Sequence, residues 1–188
     1  IQYCSGCVAC SRGLVMGKGM ICSRQDDFKA FYEKVVEADG VLFVDPIFES
    51  GATGLYHSIT DRMGPGHDTG MMKMLDGKLK EAGKEGLNPR YFRQKALSFV
   101  GIGGSDWAVR CETDHAMFAL SPGWKVVNNE FFSWCKDVIM QDDKVERMKE
   151  IGRNLADAAQ QIIDEDMQIE GSENTSLWKG KEGACPHC

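Results

Sequence analysis

Basic side chains are in the minority in this sequence, internal repeats and low-complexity tracts are missing, and nowhere do some 18 apolar residues run together. The 22 lysines and arginines face 28 aspartates and glutamates, a net charge of -6, so no phosphate-neutralising face for duplex nucleic acid is available. The lack of a long apolar run leaves no candidate membrane-spanning helix. The first residues carry no basic-then-apolar secretory pattern, and the cytoplasm is the expected compartment. What is present is 188 residues, 43% hydrophobic and 27% charged, which fits one globular domain with a sizeable core. Twenty-one glycines point to several loops that need close backbone approach.

Eight cysteines fall into unequal classes. Cys4, Cys7 and Cys10 recur every third residue and Cys22 follows after a longer gap. Cys111 and Cys135 stand alone and read as buried small hydrophobes. Cys185 and Cys188 form a terminal CPHC pair. Three thiolates from one compact loop and a fourth after a detour meet the needs of a [4Fe-4S] cube. Zinc, disulfides and unligated thiols remain alternatives for the same spacing. Glycines at positions 6, 13, 17 and 19 would let the loop bend and bring amides near the sulfurs. Cys185 and Cys188 are half a site for zinc or iron whose remaining ligands must come from elsewhere, with His187 a conceivable addition.

Residues 1–24 show no periodicity and read as a cysteine-rich loop shaped around a group. Behind Asp26 and Asp27, the apolar stripe of Phe28, Phe31, Tyr32, Val35 and Val36 predicts a helix. VLFVD (41–45) is a short apolar run of the kind buried in parallel sheets, and a helix with Leu55, Ile59 and Met63 follows. Residues 64–94 look irregular, apart from a short helix over 71–79, and read as an excursion. KALSFV (95–100) is a second strand, followed by a helix from near Asp106 carrying Ala108, Val109, Ala116, Ala119 and Leu120 on its apolar side. WKVVNN is a third strand. Val145, Met148, Ile151, Leu155, Ala159 and Ile162 mark a long helix from 142 to 166. These repeats predict an open, doubly wound α/β sheet over 25–170, with 171–188 as a polar tail.

In such sheets ligands sit beyond the carboxyl ends of the strands. The loop after Asp45 offers Pro46, Ile47 and Phe48 to one edge of a planar ring, and the backbone of Ser50, Thr53 and Gly54 to its polar rim. The loop of Gly101, Gly103, Gly104 and Ser105 offers amides to a ring carbonyl or nucleotide. Asp61 and Arg62 read as a charge pair that fixes the neighbouring stretch of chain or meets another subunit, or else as a surface ion pair. His57 and His67 lack a visible catalytic partner, and His115 reads as packed or at a rim. Trp107 and Trp124 either stack near a ligand or belong to a core or interface.

Taken together, Cys4-x-x-Cys7-x-x-Cys10, Cys22, Asp26-Asp27, Ala38-Asp39-Gly40, Pro46-x-Phe48 and Asp61-Arg62 resemble the iron-sulfur flavoproteins of the flavodoxin-like, NAD(P)H-dependent FMN reductase superfamily. The resemblance implies FMN against 46–54 and 101–105 and a [4Fe-4S] cluster on the four early cysteines. It also implies NAD(P)H or a redox protein as partner, and a homodimer or homotetramer. The expected function is an FMN and [4Fe-4S] oxidoreductase coupling two-electron flavin chemistry to one-electron cluster chemistry. The alternatives are a zinc-stabilised, non-catalytic assembly or binding subunit, and a cluster-free NAD(P)H-dependent flavin or quinone reductase. Two departures stand out: the gap before Cys22 is long, and the family's first strand, with its phosphate-binding loop, would precede Ile1. The expectation is therefore that residues are missing upstream, and downstream of CPHC as well.

Overall fold

The computed structural model describes residues 1–18 and 22–186. They divide into two compact units, one of residues 1–37 and 54–93, the other of residues 38–53 and 94–188.

The second unit holds the sheet. Strands β1 (Gly40–Pro46), β2 (Ala96–Ile102) and β3 (Lys125–Phe132) pair in parallel in the order β1-β2-β3. Parallel pairing with both faces covered demands near-continuous apolar strands, and β2 is buried along almost its whole length. Side chains alternate between faces. Phe43 and Phe99 stack with centroids 5.5 Å apart, and Phe43 meets Phe118 of α5 (Cys111–Leu120) edge-on at 5.1 Å. On the opposite face Ala96 and Val127 pack with Ala158 and Ile162 of α6 (Asp142–Asp164). Val100 packs with Ile151 there. The fold is thus α/β and flavodoxin-like, with a three-stranded parallel sheet and flanking helices. Among the described strands β2 holds the centre and is paired on both edges, while β1 is paired on one edge only and leaves Leu42 and Val44 exposed.

α5 starts at Cys111 rather than near Asp106, because the intervening backbone is committed to turns: Ala108 N–H bonds to Asp106 O and Arg110 N–H to Ser50 O. Trp124 is a core residue, edge-on to Phe118, whereas Trp107 is exposed. The stretch from 171, polar in sequence, is docked. Leu177 lies in the α6-side core, Ser172 is buried against Gln94, and Lys179 N–H bonds to Val127 O at the bulge in β3.

The first unit is helical: α1 (Ala9–Val15), α2 (Phe28–Glu37), α3 (Gly54–Met63) and α4 (Thr69–Glu81). α1 lies within the segment read as a loop. Residues 64–93 are mostly helical rather than irregular: Gly64–His67 forms a 3-10 turn, and Asp68 caps α4 by accepting from Met71 N–H. Met72, Leu75 and Leu79 form a core with Leu14. No helix among the described residues is long and apolar enough to cross a membrane.

Because Leu177 is buried among α6 and strand side chains, Leu177→Ala is expected to cost about 2–4 kcal/mol in chemical denaturation. A freely hanging tail would leave the unfolding midpoint unchanged.

Candidate functional site

The pairing register lines up Asp45, Gly101 and Phe131 across the carboxyl ends of the three strands. From there the chain enters the 46–53 loop. Ile47 N–H bonds to Ile102 O, and Gly51 N–H turns back to Phe48 O. Between them Glu49 (φ 48°) and Ser50 (φ 67°) both adopt the left-handed conformation. For two consecutive non-glycine residues this is strained backbone of the sort that collects at ligand sites.

Three groups offset that strain. Asp45 accepts from Thr53 N–H (2.8 Å) and from Thr53 Oγ1 (2.6 Å), Asp114 Oδ2 accepts from Ala52 N–H (3.2 Å), and Arg110 N–H reaches Ser50 O. A Cβ on Gly51 would lie 2.6 Å from Asp114 Oδ2 and 2.9 Å from Arg110 Nη2, so glycine is needed for this close approach. Pro46 and Phe48 stay exposed, Ile47, Ser50 and Thr53 are half-buried, and Gly54 opens α3. The loop thus presents an apolar edge held by polar anchors beneath it, which suits a planar ring system such as that of FMN.

Behind Asp45 stands His115, fully buried, with Nε2 3.5 Å from Asp45 Oδ2 and its ring stacked on Phe99 at 5.2 Å. Burial opposes ionisation of Asp45, but the hydrogen bonds from His115 and Thr53 more than compensate and hold its pKa below the ordinary carboxylate range. Cys111 Sγ lies 3.7 Å from His115 Nδ1. Burial, aided by the charge of Asp45, pushes this thiol up to about 12, so it is a packed residue and no thiolate nucleophile.

The second glycine loop corrects the sequence reading in part. Gly103 N–H is spent on Phe132 O, and Gly103 O accepts from Cys135 N–H. Its missing side chain is explained by Phe131, whose ring would lie 2.7 Å from a Cβ. Gly101 makes room for Cys111 Sγ (2.6 Å) and Gly104 for the Lys136 side chain (2.9 Å). Ser105 Oγ accepts from Trp107 N–H.

In the helical unit Cys4, Cys7, Cys10 and Cys22 line one small pocket with Ser23, Arg24, Asp61 and Arg62. All four are free thiols. Gly6 N–H points at Cys4 Sγ (3.5 Å), whereas Gly13 is built into α1 and Gly17 N–H bonds to Leu14 O. Gly19 lies outside the described residues. Hydrogen bonds from the Ser23 side chain, 3.0 Å away, and from the Ala9 backbone bring the Cys7 thiol down to about 7. Among the described residues no three His, Cys, Asp or Glu side chains stand together closely enough to hold one metal ion, so a single tetrahedral zinc is not formed by these side chains. Cys185 is exposed, and the other half of its expected metal knuckle, His187 and Cys188, lies outside the described residues.

Arg62 overturns its reading as a surface partner of Asp61. Its side chain is almost wholly buried and reaches back to Asp26 with two hydrogen bonds (2.6 and 2.9 Å), to Gln2 O (3.0 Å) and to Cys22 Sγ (3.1 Å). The Phe28 ring lies beneath the guanidinium at 4.3 Å. Arg62 in turn holds the Asp26 carboxyl far below its usual range. The pair Asp26-Arg62 was legible in the sequence only as two separate dipeptides. Asp45, Arg110 and Asp114 gave no sequence signal beyond their charge.

A carboxylate with a depressed pKa stabilises the fold fully above about pH 4 and loses that contribution as pH falls toward its lowered value. Arg62→Met is therefore expected to lower the unfolding temperature by several degrees at pH 7, and its deficit against wild type should shrink progressively below about pH 4. Thermal unfolding across that pH range checks both parts.

Residues 9–138 match the family model described as NADPH-dependent FMN reductase. Among curated proteins, an iron-sulfur flavoprotein of Archaeoglobus fulgidus is 27% identical over 108 residues, covering 57% of this chain and 43% of the relative. An iron-sulfur flavoprotein of Clostridioides difficile is 38% identical over 62 residues, covering 32% and 25% respectively. Among solved structures, a flavone reductase is 37% identical and superposes with a TM-score of 0.76, covering 97% of this chain and 63% of that one. The chain thus spans less than two thirds of the length of each of these relatives. With a matched segment that runs over most of its length and through both strand-end loops, the chain belongs to the NADPH-dependent FMN reductase family.

Proposed function

We propose that this chain is the FMN-binding part of an NAD(P)H-dependent flavin or quinone reductase, with the flavin ring seated against the 46–53 loop and the turn after β2. The observation that carries the reading is the strained Glu49-Ser50 backbone, fixed from below by Asp45, Asp114 and the Arg110 amide while Pro46 and Phe48 face outward. FMN would supply hydride acceptance and release. The chain's own contribution is to hold the loop in one conformation, to give the ring an apolar edge, and to keep ionisable groups paired beneath it. Docking of NAD(P)H and assembly as a homodimer or homotetramer belong to the same reading.

Titrating FMN against the purified chain, followed by NADH or NADPH oxidation with menadione as acceptor, tests it. Quenching that saturates at one FMN per chain, with flavin-dependent turnover, is expected. An absence of both overturns the proposal.

A second reading adds a [4Fe-4S] cluster, which would serve one-electron transfer. It is favoured by the convergence of Cys4, Cys7, Cys10 and Cys22 on one pocket and by similarity to the two iron-sulfur flavoproteins. In such a cube each thiolate takes a different iron, so the four sulfurs stand wider apart than around a single ion. Arg62 and the Gly6 amide already point donors at two of them. Anaerobic reconstitution is expected to load about four irons and four sulfides per chain, and Cys22→Ser should abolish most of that uptake. Background iron in the wild-type chain leaves the cluster-free reductase as the function.

A further inference from the structure

We propose that Asp45 and His115 form a buried positioning pair which, through Thr53, sets the flavin-competent conformation of the 46–53 loop. This inference rests on the flavin reading given above.

Every polar position of the pair is occupied in a directed way. Asp45 Oδ1 accepts from Thr53 Oγ1, and Oδ2 accepts from Thr53 N–H while facing His115 Nε2. Stacking on Phe99 fixes the imidazole plane, and its other nitrogen faces Cys111 Sγ. His115 is inaccessible and Asp45 nearly so. A loop that needed only a turn would not require two ionisable groups there, because burying them is costly unless each is paired and hydrogen-bonded. The pair spans β1 and α5 and grips the far end of the loop, so the loop is tied at its exit by Asp45 and at its entrance by the Ile47 N–H bond to Ile102 O. The other titratable groups facing this assembly are Cys111 and, at the Gly51 turn, Asp114 and Arg110. Glu112 adds to the negative charge felt by Cys111.

Asp45 and His115 are positioning residues: they act through Thr53 on Glu49 and Ser50, whose left-handed backbone is unfavourable on its own. Once the grip is released, the loop samples relaxed conformations, and the apparent FMN affinity falls by the fraction of chains that remain competent. The Thr53 hydroxyl bonds to an ionised group, so its removal is expected to cost about tenfold in that fraction.

FMN titrations of the whole chain by fluorescence quenching, with visible circular dichroism of the bound flavin and the unfolding temperature without FMN, test the pair. Thr53→Val is expected to bind FMN about tenfold more weakly and to alter the flavin dichroism, while Thr53→Ser restores both to within about twofold. His115→Phe, which keeps the ring stack on Phe99 and loses the donor, should resemble Thr53→Val. His115→Gln, which retains a donor, should recover part of the affinity. The double variant Thr53→Val/His115→Phe should lose less than the product of the single losses, since both act on one carboxylate. The unfolding temperature without FMN should fall in Thr53→Val and fall further in His115→Phe, since each leaves the buried carboxylate short of a donor, while the two lose FMN affinity alike.

Wild-type FMN affinity and dichroism in Thr53→Val and His115→Phe would overturn the positioning pair alone. Equal losses in Thr53→Val and Thr53→Ser, or losses that track unfolding temperature, would do the same. Failure of the wild-type chain to bind FMN would overturn the flavin reading and this inference with it.

Discussion

The row Asp45-Gly101-Phe131 across the strand ends is the constraint on which the rest of the sheet unit depends. Parallel pairing on both edges of β2 fixes that row. Glycine at its centre lets Cys111, the first residue of α5, close onto the sheet where any Cβ would collide with its sulfur. One turn later His115 arrives beside Asp45. Placement of a carboxylate, a histidine and a strained loop thus follows from register and one absent side chain.

The helical unit is organised by a different interaction. Arg62 leaves the last turn of α3 and ties together Asp26 at the start of α2, the backbone of Gln2 and the sulfur of Cys22. Its planar fork satisfies both oxygens of Asp26, which a lysine point charge cannot do. Held this way, the N-terminal strand of chain carrying Cys4 and Cys7 lies against the same pocket as Cys10 and Cys22. The two units therefore present separate chemistries, an apolar strained loop in one and a ring of thiols in the other.

Much of this was legible in the sequence where one physical signal dominated. The apolar run at 95–100 became the buried β2, whereas the run at 41–45 formed β1 with Leu42 and Val44 exposed, and the stripe from Val145 to Ile162 marks one face of α6. Cys111 and Cys135 read as buried small hydrophobes because they stand apart from the other cysteines, and both are buried. The failures share a cause, which is partners distant in sequence. Leu177 looked like part of a polar tail because its pocket is made by α6 and β3. Arg62 looked like a partner of its neighbour Asp61, though its carboxylate lies 36 residues upstream. His115 and Asp45 lie 70 positions apart along the numbering. Gly103 looked like an open amide for a ligand, but its N–H completes the turn to Phe132 and its bare Cα makes room for Phe131. In the 64–93 stretch the glycines outweighed the helix signal, because a capping aspartate and a shared core with Leu14 were not visible in one dimension.

A crystal structure of the chain grown with FMN tests the central claim most directly. The isoalloxazine is expected against Pro46, Phe48 and Ser50, with Thr53 still bonded to Asp45 and the Glu49-Ser50 backbone unchanged. A flavin bound elsewhere, or a 46–53 loop that rearranges and leaves Asp45 without Thr53, would contradict it.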